Sequence, residues 1–316
     1  MILAVSKLKN PSSQPVGYRG RFAPSPTGPL HAGSLVAALG SWLDAQKNGG
    51  KWLLRIEDLD VPRTIPGAAQ QIQSQLVACG LSWDEELTWQ SKRQEGYQAA
   101  LERLNTLQLI YPCTCSRQMI ANTLAERGIQ TPRNQEMVYP GTCRPEQLKT
   151  YSKEELNSTK AAWRIALPKN CEIVFEDLAL GKQSENLNPE VGDFVLKRND
   201  GLFTYQLAVV VDDALQGITH IVRGEDLLSN TGRQIYLQHV LGMNTPQYRH
   251  LPLVLDEHGE KLSKQTLATP IQTETSKDAL TELRKAAKHL GLRDLPNSEN
   301  ITIAQWLHAA TLAWGK

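Results

Sequence analysis

Residues 21–34 read RFAPSPTGPLHAGS, and the fold is decided there. The stretch is a strand exit, a turn rich in proline and glycine, and a helix start with a histidine at its mouth. Leu35–Gln46 (LVAALGSWLDAQ) carries Leu35, Val36, Leu39, Trp42 and Leu43 at helical spacing, and Asn48-Gly49-Gly50 ends the helix. The free N–H groups of a helix N-terminus carry partial positive charge, so a phosphate is the natural ligand beside His31. Pro24, Pro26 and Pro29 stiffen the turn, while Gly28 and Gly33 allow a ligand close to the backbone.

Working outward, a strand is expected near Tyr18–Phe22, and Lys51–Ile56 (KWLLRI) reads as a strand buried on both faces. Alternation of such runs with helices predicts an α/β fold, a Rossmann-like doubly wound parallel sheet. Pro66–Cys79 and Arg93–Leu109 read as helices, the second with Tyr97, Leu101, Leu104 and Leu107 on one face. From Tyr111 to about Glu190 the pattern breaks. Cysteines, Tyr-Pro-Gly and two strand-like runs, Ala161–Leu167 and Ile173–Leu178, follow without a helix between the runs, which suggests an inserted domain. Parallel-sheet signals resume with Gln206–Val211 (QLAVVV), His220–Arg223 and Leu251–Leu255, with a helix over Gly232–Leu241. Two amphipathic helices are expected last, Lys277–Leu290 capped by Ser276 and Gly291, and Thr302–Trp314.

The 316 residues are 41% hydrophobic and 21% charged, enough apolar content for a large core and more than one domain. A net charge of +1 excludes a global nucleic-acid footprint, so any RNA contact needs a local basic patch. The apolar start MILAV is too short for a signal segment and no later run approaches a membrane span, so a cytoplasmic protein with no membrane partner is expected. Residues 1–17, rich in Ser, Pro and Lys, read as a mobile tail.

Five cysteines form an odd set without disulfide spacing. Cys79 and Cys171 read as packing residues. Cys113-x-Cys115 and Cys143 offer three thiolates of the kind zinc prefers, and a structural zinc site takes four ligands. On spacing alone, three merely buried cysteines remain the alternative.

His31-Ala32-Gly33-Ser34 resembles the HIGH signature of class I aminoacyl-tRNA synthetases, and the longer string RFAPSPTG-x-LH-x-G resembles their glutamyl branch. Lys261-Leu262-Ser263-Lys264-Gln265 is similar to the KMSKS loop of the same enzymes, in the correct order along the chain. The competing reading, a proline-rich surface turn with an unrelated lysine loop, must treat that order as accident.

The resemblance implies that glutamate is activated with ATP and Mg²⁺, its carboxylate joining the α-phosphate as pyrophosphate leaves. His31 and Lys264 would be catalytic; His31, Gly33, Ser34, Lys261 and Lys264 would bind ATP. Arg21, Ala23 and Ser25 in the turn would meet glutamate, Arg21 as a fork for a carboxylate. Arg55-Ile56-Glu57-Asp58-Leu59-Asp60 resembles the family's R-x-E-D-T-D segment, with Leu59 for the usual threonine, which implies that Glu57 binds the ammonium. Tyr205 and Arg223 fall on substrate-binding positions, and Asp212 does so with less weight. Without the resemblance each of these acids and arginines would read as a surface ion pair of little energetic value.

The chain stops about fifty residues after the lysine loop, too few for the helical anticodon-binding domain of glutamyl-tRNA synthetases. Zinc-binding members place a histidine or cysteine just after the third ligand, where this chain has Pro145. The pattern C-x-C…Y-x-x-x-C instead resembles the short glutamyl-queuosine tRNA(Asp) synthetases, which implies Tyr139 as fourth ligand with Cys113, Cys115 and Cys143. The expected division is a tail over 1–17, a catalytic domain over 18–110 and 191–265, a zinc-binding insertion over 111–190, and a short helical region over 266–316. The expected partners are L-glutamate, ATP and queuosine-containing tRNA(Asp), with the protein a monomer. A truncated glutamyl-tRNA synthetase charging the terminal adenosine, a non-catalytic RNA-binding paralogue, and a separate ATP-dependent nucleotidyltransferase are the rivals.

Overall fold

The computed structural model describes residues 17–129, 137–158, 160–254 and 269–315. Strand β1 (Arg19–Phe22) leads through the proline turn into α1 (Ala32–Lys47), and β2 (Lys51–Ile56) returns beside β1 in parallel, with Arg21 opposite Leu53. Helix α2 (Ala68–Ala78) crosses to the short β3 (Thr88–Trp89), parallel to β2. Every residue of β2 but Lys51 is buried, as its continuous apolar run requires of a strand covered on both faces.

Next come α3 (Gln94–Thr106), β4 (Ile110–Cys113), α4 (Arg117–Glu126), α5 (Lys153–Leu156) and β5 (Ala162–Ile165). They are followed by β6 (Glu172–Asp177), β7 (Gly181–Asn186), α6 (Leu187–Glu190), β8 (Val195–Lys197) and α7 (Tyr205–Leu215). Strands β4, β5 and β8 form a separate antiparallel sheet. Last are β9 (His220–Gly224), α8 (Thr231–Leu241), β10 (Gln247–Leu251), α9 (Ser276–His289) and α10 (Ile303–Ala313).

The sheet order β7-β6-β10-β9 is parallel from β6 to β9, with β7 antiparallel at its edge. Its β9 side meets β1, where the Thr219 N–H donates to the Arg19 carbonyl at 2.9 Å. Parallel strands therefore run β3-β2-β1 and then β9-β10-β6, an α/β arrangement. The β6–β7 hairpin, inside the stretch read as an insertion, joins this sheet rather than that of β4, β5 and β8.

Two cores flank the strands. Leu39, Leu43, Trp52, Ile72, Leu283 and Trp306 pack around α1 and the last two helices; Leu101, Trp163, Leu207, Val210, Ile221 and Tyr248 pack around α7. Each fully buried leucine or isoleucine contributes about 1.5–3 kcal/mol. Cys79 and Cys171 lie in these cores, as packing residues should. Asp44, in the last turn of α1, accepts from Tyr18 Oη at 2.5 Å and Trp314 Nε1 at 2.7 Å, and faces Arg249 at 3.7 Å. Among the described residues, no helix is long and apolar enough to cross a membrane.

Three readings of the sequence need correction. Gln206–Val211 is helical, not a strand: it is buried on every side within α7, and a run apolar all round has no period to separate helix from strand. The strand expected at Leu251–Leu255 is Gln247–Leu251, ending before Pro252, which has no N–H for a ladder. Thr275, not Ser276, caps α9, because Asp278 completes a capping box with it. Residues 1–16 and the lysine loop lie outside the described residues.

Candidate active site and metal centre

One end of the candidate site is the start of α1. His31 is its N-cap: Nδ1 accepts from the Ser34 N–H at 3.4 Å, and Ser34 Oγ accepts from the His31 N–H at 2.7 Å. Ser34 is thus a reciprocal cap that sets His31 at the helix mouth, with Gly33 in the first turn. The proline turn with Ala23 and Ser25 is tied to β2, for the Glu57 N–H donates to the Pro24 carbonyl at 3.0 Å. Gly28 sits at φ +136°, a backbone open to glycine. The Ile271 N–H donates to the Leu30 carbonyl at 3.0 Å, and Pro270 bridges His31. The chain leaving the lysine loop is therefore fastened to the histidine; Lys261 and Lys264 themselves lie outside the described residues.

At the C-terminal ends of β1, β2 and β9 the site is ionic. Arg21 is buried and gives Nε and Nη2 to the Asp213 carboxylate at 3.1 and 3.3 Å. Arg55 Nη1 reaches Asp213 at 2.8 Å and Arg55 Nη2 reaches Glu57 at 3.3 Å. The fork expected to meet a glutamate carboxylate is thus largely spent on Asp213. Burial would push the Asp213 carboxyl up, but the two guanidiniums hold it below the usual carboxylate range. Burial dominates at Glu57 and raises its pKa, with Arg55 and Arg21 opposing. Asp212 points elsewhere: Arg93 Nε at 2.6 Å, Tyr97 Oη at 2.7 Å and Gln90 Nε2 at 2.9 Å make it an anchor for α3.

Tyr205, first residue of α7, stands beside Arg223 on β9, with Arg223 Nη1 3.4 Å from Tyr205 Oη. Burial pushes the Tyr205 hydroxyl up while Arg223, Glu57 and Arg21 act on it through space, which puts all four side chains in one neighbourhood. Arg21, Glu57, Tyr205 and Arg223, named from the sequence, do converge. Arg55 and Asp213 were missed, although a charged residue inside the apolar KWLLRI run was itself a signal.

A candidate metal centre lies at the exit of β4. The Sγ atoms of Cys113, Cys115 and Cys143 lie within 4.8 Å of one another. Tyr139 Oη sits 3.3 Å from Cys113 Sγ and 3.7 Å from Cys115 Sγ, and Cys115 Sγ lies 3.3 Å from Cys143 Sγ. Zinc at 2.3 Å from each sulfur requires sulfurs about 3.8 Å apart, so the cluster has the dimensions of a tetrahedral site. The Cys143 N–H donates to Tyr139 Oη at 2.8 Å, and the Arg164 guanidinium lies over the tyrosine ring at 3.7 Å. Both fix the ring.

Residues 18–303 match the family described as tRNA synthetases class I (E and Q), catalytic domain. A protein from Burkholderia cenocepacia named Glutamyl-Q tRNA(Asp) synthetase is 54% identical over 306 residues, covering 95% of this chain and 97% of its own. One of the same name from Cupriavidus metallidurans is 50% identical over 299 residues, covering 94% and 91%. The crystal structure of a glutamate tRNA ligase from Elizabethkingia meningosepticum in complex with its amino acid superposes with a TM-score of 0.71 at 28% identity. That match covers 92% of this chain but 64% of the ligase, so the chain spans just under two thirds of the ligase's length.

Proposed function

This chain belongs to the class I tRNA synthetases of the glutamate and glutamine group, in the branch of the glutamyl-Q tRNA(Asp) synthetases, and from that premise we propose that it activates L-glutamate without tRNA and passes it to queuosine. The glutamate α-carboxylate attacks the α-phosphorus of ATP and the bond to pyrophosphate breaks. A hydroxyl of the queuosine cyclopentenediol, at the wobble position of tRNA(Asp), then attacks the carbonyl of the adenylate and AMP leaves. The single observation that carries this reading is that α1, capped at His31, packs on β1, β2 and β9, whose C-terminal ends carry Arg21, Glu57 and Arg223.

In this reading His31, Gly33, Ser34 and the mouth of α1 receive the phosphates of ATP and its Mg²⁺, and Lys261 and Lys264 neutralise the departing pyrophosphate. Glu57 takes the ammonium. Arg223 and Tyr205 face a carboxylate, while Ala23 and Ser25 present backbone to the ligand. Arg21 acts mainly by its charge, since its fork is occupied by Asp213. Positioning and charge stabilisation supply the rate, with no covalent intermediate on the protein.

Cys113, Cys115, Cys143 and Tyr139 would hold one structural zinc, which cross-links the insertion and takes no part in the chemistry. The protein works in this reading as a cytoplasmic monomer on queuosine-containing tRNA(Asp). The test is pyrophosphate exchange with glutamate, ATP and Mg²⁺ alone, followed by locating labelled glutamate on nuclease fragments of tRNA. Label on the anticodon fragment of queuosine-containing tRNA(Asp) is expected; label on the terminal adenosine of tRNA(Glu) at comparable rate would favour a truncated glutamyl-tRNA synthetase.

A further inference from the structure

Arg223 is buried in β9, and the hydrogen bonds it makes go to neutral acceptors. Nη1 reaches Gln234 Oε1 at 2.7 Å and Tyr205 Oη at 3.4 Å, and Nη2 reaches Thr231 Oγ1 at 2.8 Å and the Leu227 carbonyl at 3.3 Å. Its Nε donates to His250 Nε2 at 3.1 Å, so that imidazole nitrogen must be bare. The proton then sits on Nδ1, which lies 2.6 Å from Asp177 Oδ2. Asp177 is in turn fixed by its other oxygen, which accepts from the N–H groups of Ala179 and Leu180 at 3.0 Å each and of His250 at 3.3 Å.

We propose that Asp177 and His250 are positioning residues: the carboxylate selects the imidazole tautomer, and the imidazole aims the Arg223 guanidinium at the glutamate carboxylate. The proposal rests on the reading of Arg223 as a glutamate ligand. A lysine would not serve, because its ammonium only donates, whereas the imidazole donates from Nδ1 to the carboxylate and presents the Nε2 lone pair to Arg223. The dyad comes from β6 and β10, two strands the mechanism otherwise leaves idle.

A pH dependence follows. His250 faces Arg223 from β9, Asp177 from β6, Asp226 from the segment after β9, Thr231 from α8, and the parallel ring of Tyr248 on its own strand. Burial and then Arg223 lower its pKa below the ordinary value, with Asp177 and Asp226 opposing. The neutral form is therefore the working form. Protonation at falling pH would turn an N–H against the Arg223 N–H and loosen the guanidinium, raising the KM for glutamate.

The decisive variant is Asp177→Asn, which keeps the shape but offers an N–H to Nδ1 and so forces the imidazole proton onto Nε2. In pyrophosphate exchange the glutamate KM should rise about 10- to 100-fold, the range for losing a hydrogen bond to a charged group, with the ATP KM within about twofold of the unaltered protein. His250→Gln, which retains an acceptor near Nε2, should raise the glutamate KM less than His250→Leu; this pair carries the comparison if Asp177→Asn folds poorly. Long-range ¹H–¹⁵N spectra of the unaltered protein should show His250 protonated on Nδ1. An Nε2-protonated His250, an unmoved glutamate KM in Asp177→Asn, or equal rises for glutamate and ATP would overturn the positioning role. Absence of glutamate-dependent exchange in the unaltered protein would refute the glutamate reading itself, and this proposal with it.

Discussion

Replacing Asp213 by asparagine keeps the side-chain shape and removes one charge from the buried cluster it forms with Arg21, Arg55 and Glu57. Asp213 holds Arg21 through two contacts, at 3.1 and 3.3 Å, and Arg55 through one at 2.8 Å. All three groups are buried. After the substitution Arg55 retains Glu57 at 3.3 Å and Asp212 at 3.9 Å, but Arg21 keeps only one of its two oxygen acceptors and loses the charge that neutralised it. Leaving a buried charge without its partner costs about 3–5 kcal/mol. At about 2–4 °C per kcal/mol for a domain of this class, the melting temperature should fall by roughly 6–20 °C. The sign with pH can be fixed as well. The folded pKa of Asp213 is depressed, so its contribution is present above the unfolded value of about 3.9 and is lost as pH falls through the lower folded value. The gap between the two proteins should hence be full at pH 7 and shrink below about pH 4. Thermal denaturation at several pH values reads both. An Asp213→Asn protein melting within 2 °C of the parent at pH 7, on a scale where 1 kcal/mol moves it by about that much, would refute the claim that this carboxylate neutralises the pair.

Arg21→Gln should lower kcat/KM for glutamate by about 2–4 kcal/mol while leaving the KM for ATP nearly unchanged, because the amide takes the place of the fork without its charge; near-parental kcat/KM in exchange kinetics would remove Arg21 from the site. Tyr139→Phe should weaken zinc retention against a chelator, and full, equally tight zinc by metal analysis would strike Tyr139 from the ligand set. Gly192→Ala should destabilise the protein by about 1–3 kcal/mol and loosen zinc as well. Gly192 sits at φ +70°, and a Cβ there would lie 2.8 Å from the Tyr139 carbonyl and 2.9 Å from its nitrogen. Unchanged melting and metal content in that variant would contradict the close approach.

What could be read from the sequence was what is local. The turn and the helix start at His31 are encoded within a few residues and the C-x-C…Y-x-x-x-C pattern between residues 113 and 143, and the structure brings the cysteines and Tyr139 together. Arg21, Glu57, Tyr205 and Arg223 come from three strands and a helix, and only a resemblance over the whole string could assemble them. The Asp213–Arg55 pair spans 158 positions, a separation at which one charge carries no signal of the other. His250 is buried and silent for the same reason, its partners lying on β6, β9 and α8. QLAVVV misled because deep burial erases the period that distinguishes a helix from a strand.

Asp44 has a dynamic consequence. One carboxylate near the tail of α1 holds the hydroxyl of Tyr18, just before β1, and the indole of Trp314, just after α10, and lies beside Arg249 of β10. The last helix cannot fray without exposing the carboxylate and releasing the start of the sheet. Hydrogen exchange should therefore find the amides of α1, α9 and α10 opening together as one cooperative unit, rather than α10 exchanging first as terminal helices commonly do. The helix that presents His31 at one end is thereby clamped at the other by its neighbour α10.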